Sequence, residues 1–175
     1  SDFGRLGVPP THPELLDWLA AEFVDGAQPW SIKHLHRLIV NSATYRQAAT
    51  FNPQAAEVDA DNTLLWRYAP RRLEGEIVRD AMLAVSGELN LVSGGPSFMP
   101  FIVTNFNSDF YEPIDPLGPE FNRRTIYRAN INSGKSAMMD ALDCPDPSIK
   151  TPARRVTTTP IAALALMNNS FVQRQ

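Results

Sequence analysis

Three carboxylates recur at every third position, Asp109, Glu112 and Asp115. Such groups can supply oxygens to calcium, which takes six to eight, or act as general acid and base on a glycosidic bond. Three carboxylates without the glycine spacing of a calcium loop read first as a solvated acidic edge. Arginine doublets stand at Arg71-Arg72, Arg123-Arg124 and Arg154-Arg155, and a planar guanidinium holds a carboxylate through two parallel hydrogen bonds. With Asp80, Asp140 and Asp143 as partners, these arginines would staple irregular segments to helices; left free, they would form an anion or acidic-glycan site. Phe98, Phe101, Phe106, Phe110, Tyr111 and Phe121 put six of the 16 aromatic residues (3 Trp, 4 Tyr, 9 Phe) into the same stretch. A segment with no amphipathic face is anchored by plugging such rings into a core. Any ring left outside forms a platform for sugar or protein.

Other chemistry is weakly signalled. Gly134-Lys135-Ser136 resembles the tail of a phosphate-binding loop, but the glycine that motif needs five positions earlier is Ala129, so a turn before a short helix is the expectation. His34 and His36, two apart on a helix, point away from each other, and His12 lies in another element, which argues against a metal triad. Cys144 is the single cysteine, excluding an internal disulfide and any two-thiol motif. No Gly-x-Ser-x-Gly elbow or Cys-His signature is present.

The elements that must position these groups follow from periodicity and caps. Thr11 and Glu14 read as a capping box with Pro13 in the first turn, followed by Leu15, Leu16, Leu19 and Phe23 on one face, predicting a helix over 13–25. Ser31 caps a second over 32–41, and the two form a helix pair. Leu73, Ile77, Ala81 and Val85 predict a third over 73–87, and Thr159 with Pro160 opens a last one over 160–168. Shorter helical pieces are expected at Ala43 to Ala48, Gln54 to Asp59 and Ser136 to Leu142. Phe98 to Thr104 and Arg123 to Ile131 carry the strand signal and are expected to pair. Between Gly94 and Asn122 no helical or strand period is sustained, so this proline-rich stretch is expected to be irregular.

With 175 residues the chain suffices for one domain, 1–175, whose core needs neither metal nor disulfide. Hydrophobic content of 43% is ordinary, and no apolar run reaches the roughly 18 residues of a membrane span. The net charge of -3 lacks the basic excess that drives phosphate-backbone binding, so nucleic acid is not an expected partner.

At Asp2-Phe3-Gly4, the run from Pro10-Thr11-His12-Pro13 to Ala20, Tyr45-Arg46-Gln47, Asn62 to Arg67 and Arg154-Arg155-Val156-Thr157-Thr158-Thr159-Pro160, the chain resembles a bacterial family, found chiefly in planctomycetes, called domain of unknown function fifteen fifty-three. It departs from the family's Phe-Asp before a proline at Leu142-Asp143-Cys144-Pro145. The resemblance implies a domain near the C-terminus of a long exported or periplasmic protein that carries a cytochrome-c-like haem segment elsewhere. It also implies chain beyond both ends of this sequence.

The expectation is therefore a mainly α domain with a minor β element and a long proline-rich irregular segment, a fragment of a multidomain protein. Its function would be that of a non-catalytic structural or docking module whose partners are the parent's other domains, with no cofactor in this chain and haem possible elsewhere in the parent. The alternative is a polysaccharide-binding or polysaccharide-processing domain. The candidate surface is Asp109, Glu112, Asp115, Phe110, Tyr111, Arg123, Arg124, Arg154 and Arg155.

Overall fold

A computed structural model describes residues 4–132, 134 and 136–175. The chain divides into two compact units, Ser1–Arg71 and Arg72–Gln175. Helix dominates the described residues, with one small two-stranded sheet. No helix among them is long and apolar enough to cross a membrane.

The first unit holds α1 (Pro13–Asp25), α2 (Ile32–Asn41) and α3 (Pro53–Val58). Helix α1 begins at Pro13 with His12, not Thr11, as N-cap, and no side-chain cap bond forms. The residue before a proline is disfavoured in the helical region; His12 accordingly lies outside it (φ -133°, ψ 73°), and the Thr11 hydroxyl pairs with His12 Nδ1 at 2.9 Å instead. Ser31 caps α2 as expected, accepting the His34 N–H. The pair is held by His34 Nε2 against Glu22 Oε1 at 2.8 Å and by the edge-to-face rings of Phe23 and Trp30. The helix expected from Ala43 to Ala48 is one turn only: Ser42 Oγ occupies the Ile39 carbonyl and the Tyr45 N–H, and the Ala48 carbonyl is drawn off to the Tyr68 N–H. No described residue of this unit is fully buried.

The second unit is built on α4 (Gly75–Ser86), which ends at Gly87 in the left-handed region (φ 82°). Its buried row is Gly75, Arg79 and Leu83, spaced by four. Leu83 is wholly buried, and at Gly75 a Cβ would stand 3.0 Å from that of Leu142. Helices α5 (Ala137–Ala141), α6 (Pro160–Asn168) and α7 (Ser170–Arg174) complete the helical set. Met138, Leu142 and Ala162 form the core, with Val78, Met82, Leu166, Phe171 and Val172 packed around it. Thr159 caps α6 by accepting the Ala162 N–H.

The strand pairing differs from expectation. Strands β1 (Phe101–Asn105) and β2 (Asp109–Pro113) form an antiparallel hairpin inside the stretch expected to be irregular. Phe98 meets 123–131 in a single parallel bridge to Arg128. Pro100 cannot donate to a continuing ladder, and the 3₁₀ turn Thr125–Tyr127 binds the Arg128 N–H to the Thr125 carbonyl. The expected pairing therefore stops after one bridge.

Candidate docking surface

Alternation along the hairpin divides its side chains between two faces. On one, Phe101 lies opposite Pro113 and Val103 opposite Tyr111. Phe101 is buried, with the Tyr111 ring edge-on at 6.4 Å and the Arg128 guanidinium over it at 5.2 Å. On the other face, Ile102 lies opposite Glu112 and Thr104 opposite Phe110. There Ile102 and Phe110 are half exposed, and Phe106 at the turn is 80% exposed with its ring against Phe110 at 5.9 Å. The six rings thus separate by role. Phe98, Phe101, Tyr111 and Phe121 anchor the wrap, with Phe98 edge-on to Phe121 at 6.2 Å, while Phe106 and Phe110 stand outside.

Arginines fasten the hairpin's flanks from behind. Arg79 on α4 is buried and donates to the carbonyls of Arg123 (3.0 Å) and Phe121 (2.7 Å) and to Thr125 Oγ1 (3.3 Å), between the rings of Phe98 and Phe171. Burial pushes its pKa down to about 10, against the favourable charge of Asp80, so it remains a cation at neutral pH. Arg123 donates to the carbonyls of Pro96 (2.8 Å), Val92 (3.4 Å) and Gly94 and stacks on Tyr127, whose hydroxyl accepts the Gly94 N–H. Asp80 accepts the Thr125 N–H and hydroxyl; Arg124 stays largely exposed, 4.0 Å from Asp80. Arg154 grips both oxygens of Glu76, Arg72 pairs with Asp143 at 3.0 Å, and Arg155 lines a separate depression with Asp140, Cys144 and Lys150. Arginines do staple irregular segments, although Arg79 and Arg123 use backbone carbonyls more than carboxylates.

The carboxylates spaced by three do not converge. A strand repeats every two residues, so Asp109 and Glu112 fall on opposite faces of β2. Asp115, itself exposed, is tied to α7, where Arg174 (2.5 and 2.6 Å) and Ser170 (2.5 Å) hold it. Those Arg174 bonds, with Ser170, keep its carboxyl below the usual range despite some burial. Behind the hairpin a cavity of about 270 Å³ is lined by Arg79, Phe98, Arg128, Met138, Asp115 and Phe171 among others.

Two arginines of this arrangement, Arg79 and Arg128, were not among the sequence candidates. For Arg79 a signal existed: it sits four residues before Leu83 in the inward row of α4. The phosphate-loop reading at Gly134-Lys135-Ser136 lies outside the described residues, which include neither Ser133 nor Lys135. A family model described as PSD1, protein of unknown function (DUF1553), matches residues 1–175. No curated protein and no solved structure matches the chain.

Proposed function

We propose, for a chain that belongs to the PSD1 family of proteins of unknown function (DUF1553), that it is a non-catalytic docking module and that the outer face of its hairpin contacts the other domains of a larger parent. An exported parent that carries haem in another segment is the setting the resemblance implies, and it is part of the proposal.

The observation that carries this reading is the contrast between the two sides of one hairpin. Behind it, Phe101 and Tyr111 are seated and the flanking carbonyls are bound by Arg79 and Arg123. In front, Ile102, Phe106 and Phe110 form an apolar patch with Glu112 at its margin. A held backing with exposed rings in front suits a contact surface. The dispersal of Asp109, Glu112 and Asp115 supports binding over hydrolysis, since two carboxyls must flank one bond for glycoside cleavage.

The test is amide exchange of residues 101–113 in this chain alone and in the full-length parent. Docking requires slower exchange of Ile102, Thr104 and Phe110 in the parent, reversed by Phe106→Ser with Phe110→Ser. Equal exchange in both, together with glycan turnover that is lost on replacing Asp109, Glu112 and Asp115, would make the polysaccharide-processing alternative the better account.

A further inference from the structure

Arg128 lines the half-enclosed cavity behind the hairpin with its charge unmet. Its guanidinium lies over the ring of Phe101 at 5.2 Å, a residue outside the lining. A ring covers the face of a guanidinium and leaves the N–H groups on its rim free to donate. Among the described residues that rim makes one hydrogen bond, from Nη1 to the Ala129 carbonyl at 3.4 Å. Its Nε and Nη2 have no acceptor there, and neither is shut off from solvent. Nor does Arg128 have an ion-pair partner among the described residues; Asp140 and Cys144 act on it through space alone. Burial holds its pKa below the usual arginine value, as expected of a cation short of solvation.

The other charges of the described lining are settled. Arg79 has Asp80 at 3.8 Å and donates to three oxygens of the flanking chain. Asp115 is held by Arg174. One positive charge is left over, and Arg79 and Arg128 repel each other, so an anion in the cavity would relieve both. Two further donors line it. The Ser136 hydroxyl makes no cap bond at the start of α5. Asn169 spends its Oδ1 on the Phe171 N–H, which leaves its Nδ2 to donate. The rest of the wall is largely apolar, with Phe98, Met138, Met139, Ile114 and Phe171.

These features select a ligand. A single unmet charge calls for a monoanion, because a phosphate dianion would bring a surplus charge into a site only partly open to water. The planar fork of a guanidinium matches a carboxylate, and the apolar wall calls for a carbon body behind it. A cavity of roughly 150 Å³ admits benzene, so about 270 Å³ has room for a ring and a short acid arm. We infer that this cavity binds an organic monocarboxylate with an apolar body, its carboxylate on Arg128 with Ser136 and Asn169 as further donors, and its body against Phe98, Met138 and Phe171. The site does not depend on the outer face of the hairpin or on the docking proposal.

The probes are 3-phenylpropanoate, its neutral amide 3-phenylpropanamide, inorganic phosphate and the peptide acetyl-Gly-Gly-Phe, titrated into the intact chain by calorimetry with amide chemical shifts as the second measurement. The expected result is saturable binding of 3-phenylpropanoate that moves the amides of 136–139 and 171. Arg128→Gln should weaken it about tenfold or more, Arg128→Lys should recover part, and the neutral amide should bind about tenfold or more weakly to the unaltered chain. Arg124→Ala, at an exposed arginine outside the lining, should leave binding unchanged. Should Arg128→Gln not fold, Ser136→Ala decides the matter, weakening binding severalfold with an unchanged circular dichroism spectrum. The peptide carries the same carboxylate at a chain end, so the tighter of peptide and free acid tells which source the site is built for. Absence of saturable binding of both acids, equal binding of the neutral amide, tighter binding of phosphate, or binding indifferent to the Arg128 and Ser136 substitutions would overturn the inference.

Discussion

The Arg79 guanidinium ends on the Arg123 carbonyl at 3.0 Å, and the Arg123 guanidinium in turn ends on the Pro96 carbonyl at 2.8 Å. Two arginines in series thus carry the hold of α4 outward to the loop before the hairpin.

Arg79→Met should lower unfolding free energy by about 3 kcal/mol, because it leaves buried carbonyls without donors. Arg79→Lys should recover only part, since an ammonium lacks the planar fork. Arg124→Ala, at an exposed arginine 4.0 Å from its partner, should stay within about 0.5 kcal/mol. Urea denaturation of the three variants checks the order; an Arg124→Ala effect as large as that of Arg79→Met would refute the relay.

A two-stranded hairpin on its own is marginal in water. In the isolated chain, amides of Phe101–Asn105 are expected to exchange through local opening, well before those around the wholly buried Leu83, which wait for global unfolding. Equal protection at both places would mean that the hairpin is part of the cooperative core.

Acid should loosen α7 first. The Arg174 hydrogen bonds hold the Asp115 carboxyl below its ordinary range, so the unfolded chain takes up the proton more readily than the folded one. The stability contributed is complete above the unfolded carboxylate pKa of about 3.9 and is lost as pH falls through the folded value. Amide exchange of 170–175 should accelerate over that window relative to α4, and Asp115→Asn should abolish the acceleration.

Cys144 is expected to be a sluggish nucleophile. Burial, joined by the Glu76 carboxylate at 3.6 Å, pushes its thiol up to about 11, leaving little thiolate at neutral pH. Its alkylation rate by iodoacetamide should rise about tenfold per pH unit well into the alkaline range. Glu76→Gln should move the profile to lower pH, and a plateau near that of a free thiol would contradict the structure.

Helices α1, α2 and α6 were legible because their signals are local: apolar spacing near 3.6, a serine or threonine cap, and proline at the first position. The Thr11 cap was misread by one residue because Pro13 constrains His12 more strongly than Thr11 attracts the helix. The first strand was legible in the β-branched and aromatic run from Phe98 to Thr104, but its partner was sought in 123–131, because adjacent Phe110 and Tyr111 do not alternate with polar residues and hid period two in the second strand. Asp109, Glu112 and Asp115, read first as a solvated acidic edge, are all exposed, and the strand sets Asp109 and Glu112 on opposite faces. Arg79 is a charge whose purpose depends on carbonyls more than forty residues away. No local pattern encodes such a partner.

Because Arg79 and Arg123 fasten Val92, Gly94, Pro96 and Phe121 by their carbonyls, they read the path of the main chain and hardly the side chains on it. Substitution at Val92 or Ser93 leaves every one of those acceptors in place, so the side chains there are open to change while a lysine in place of either guanidinium would keep only part of the hold. The wrap can vary its outward chemistry from one descendant to the next without surrendering its course.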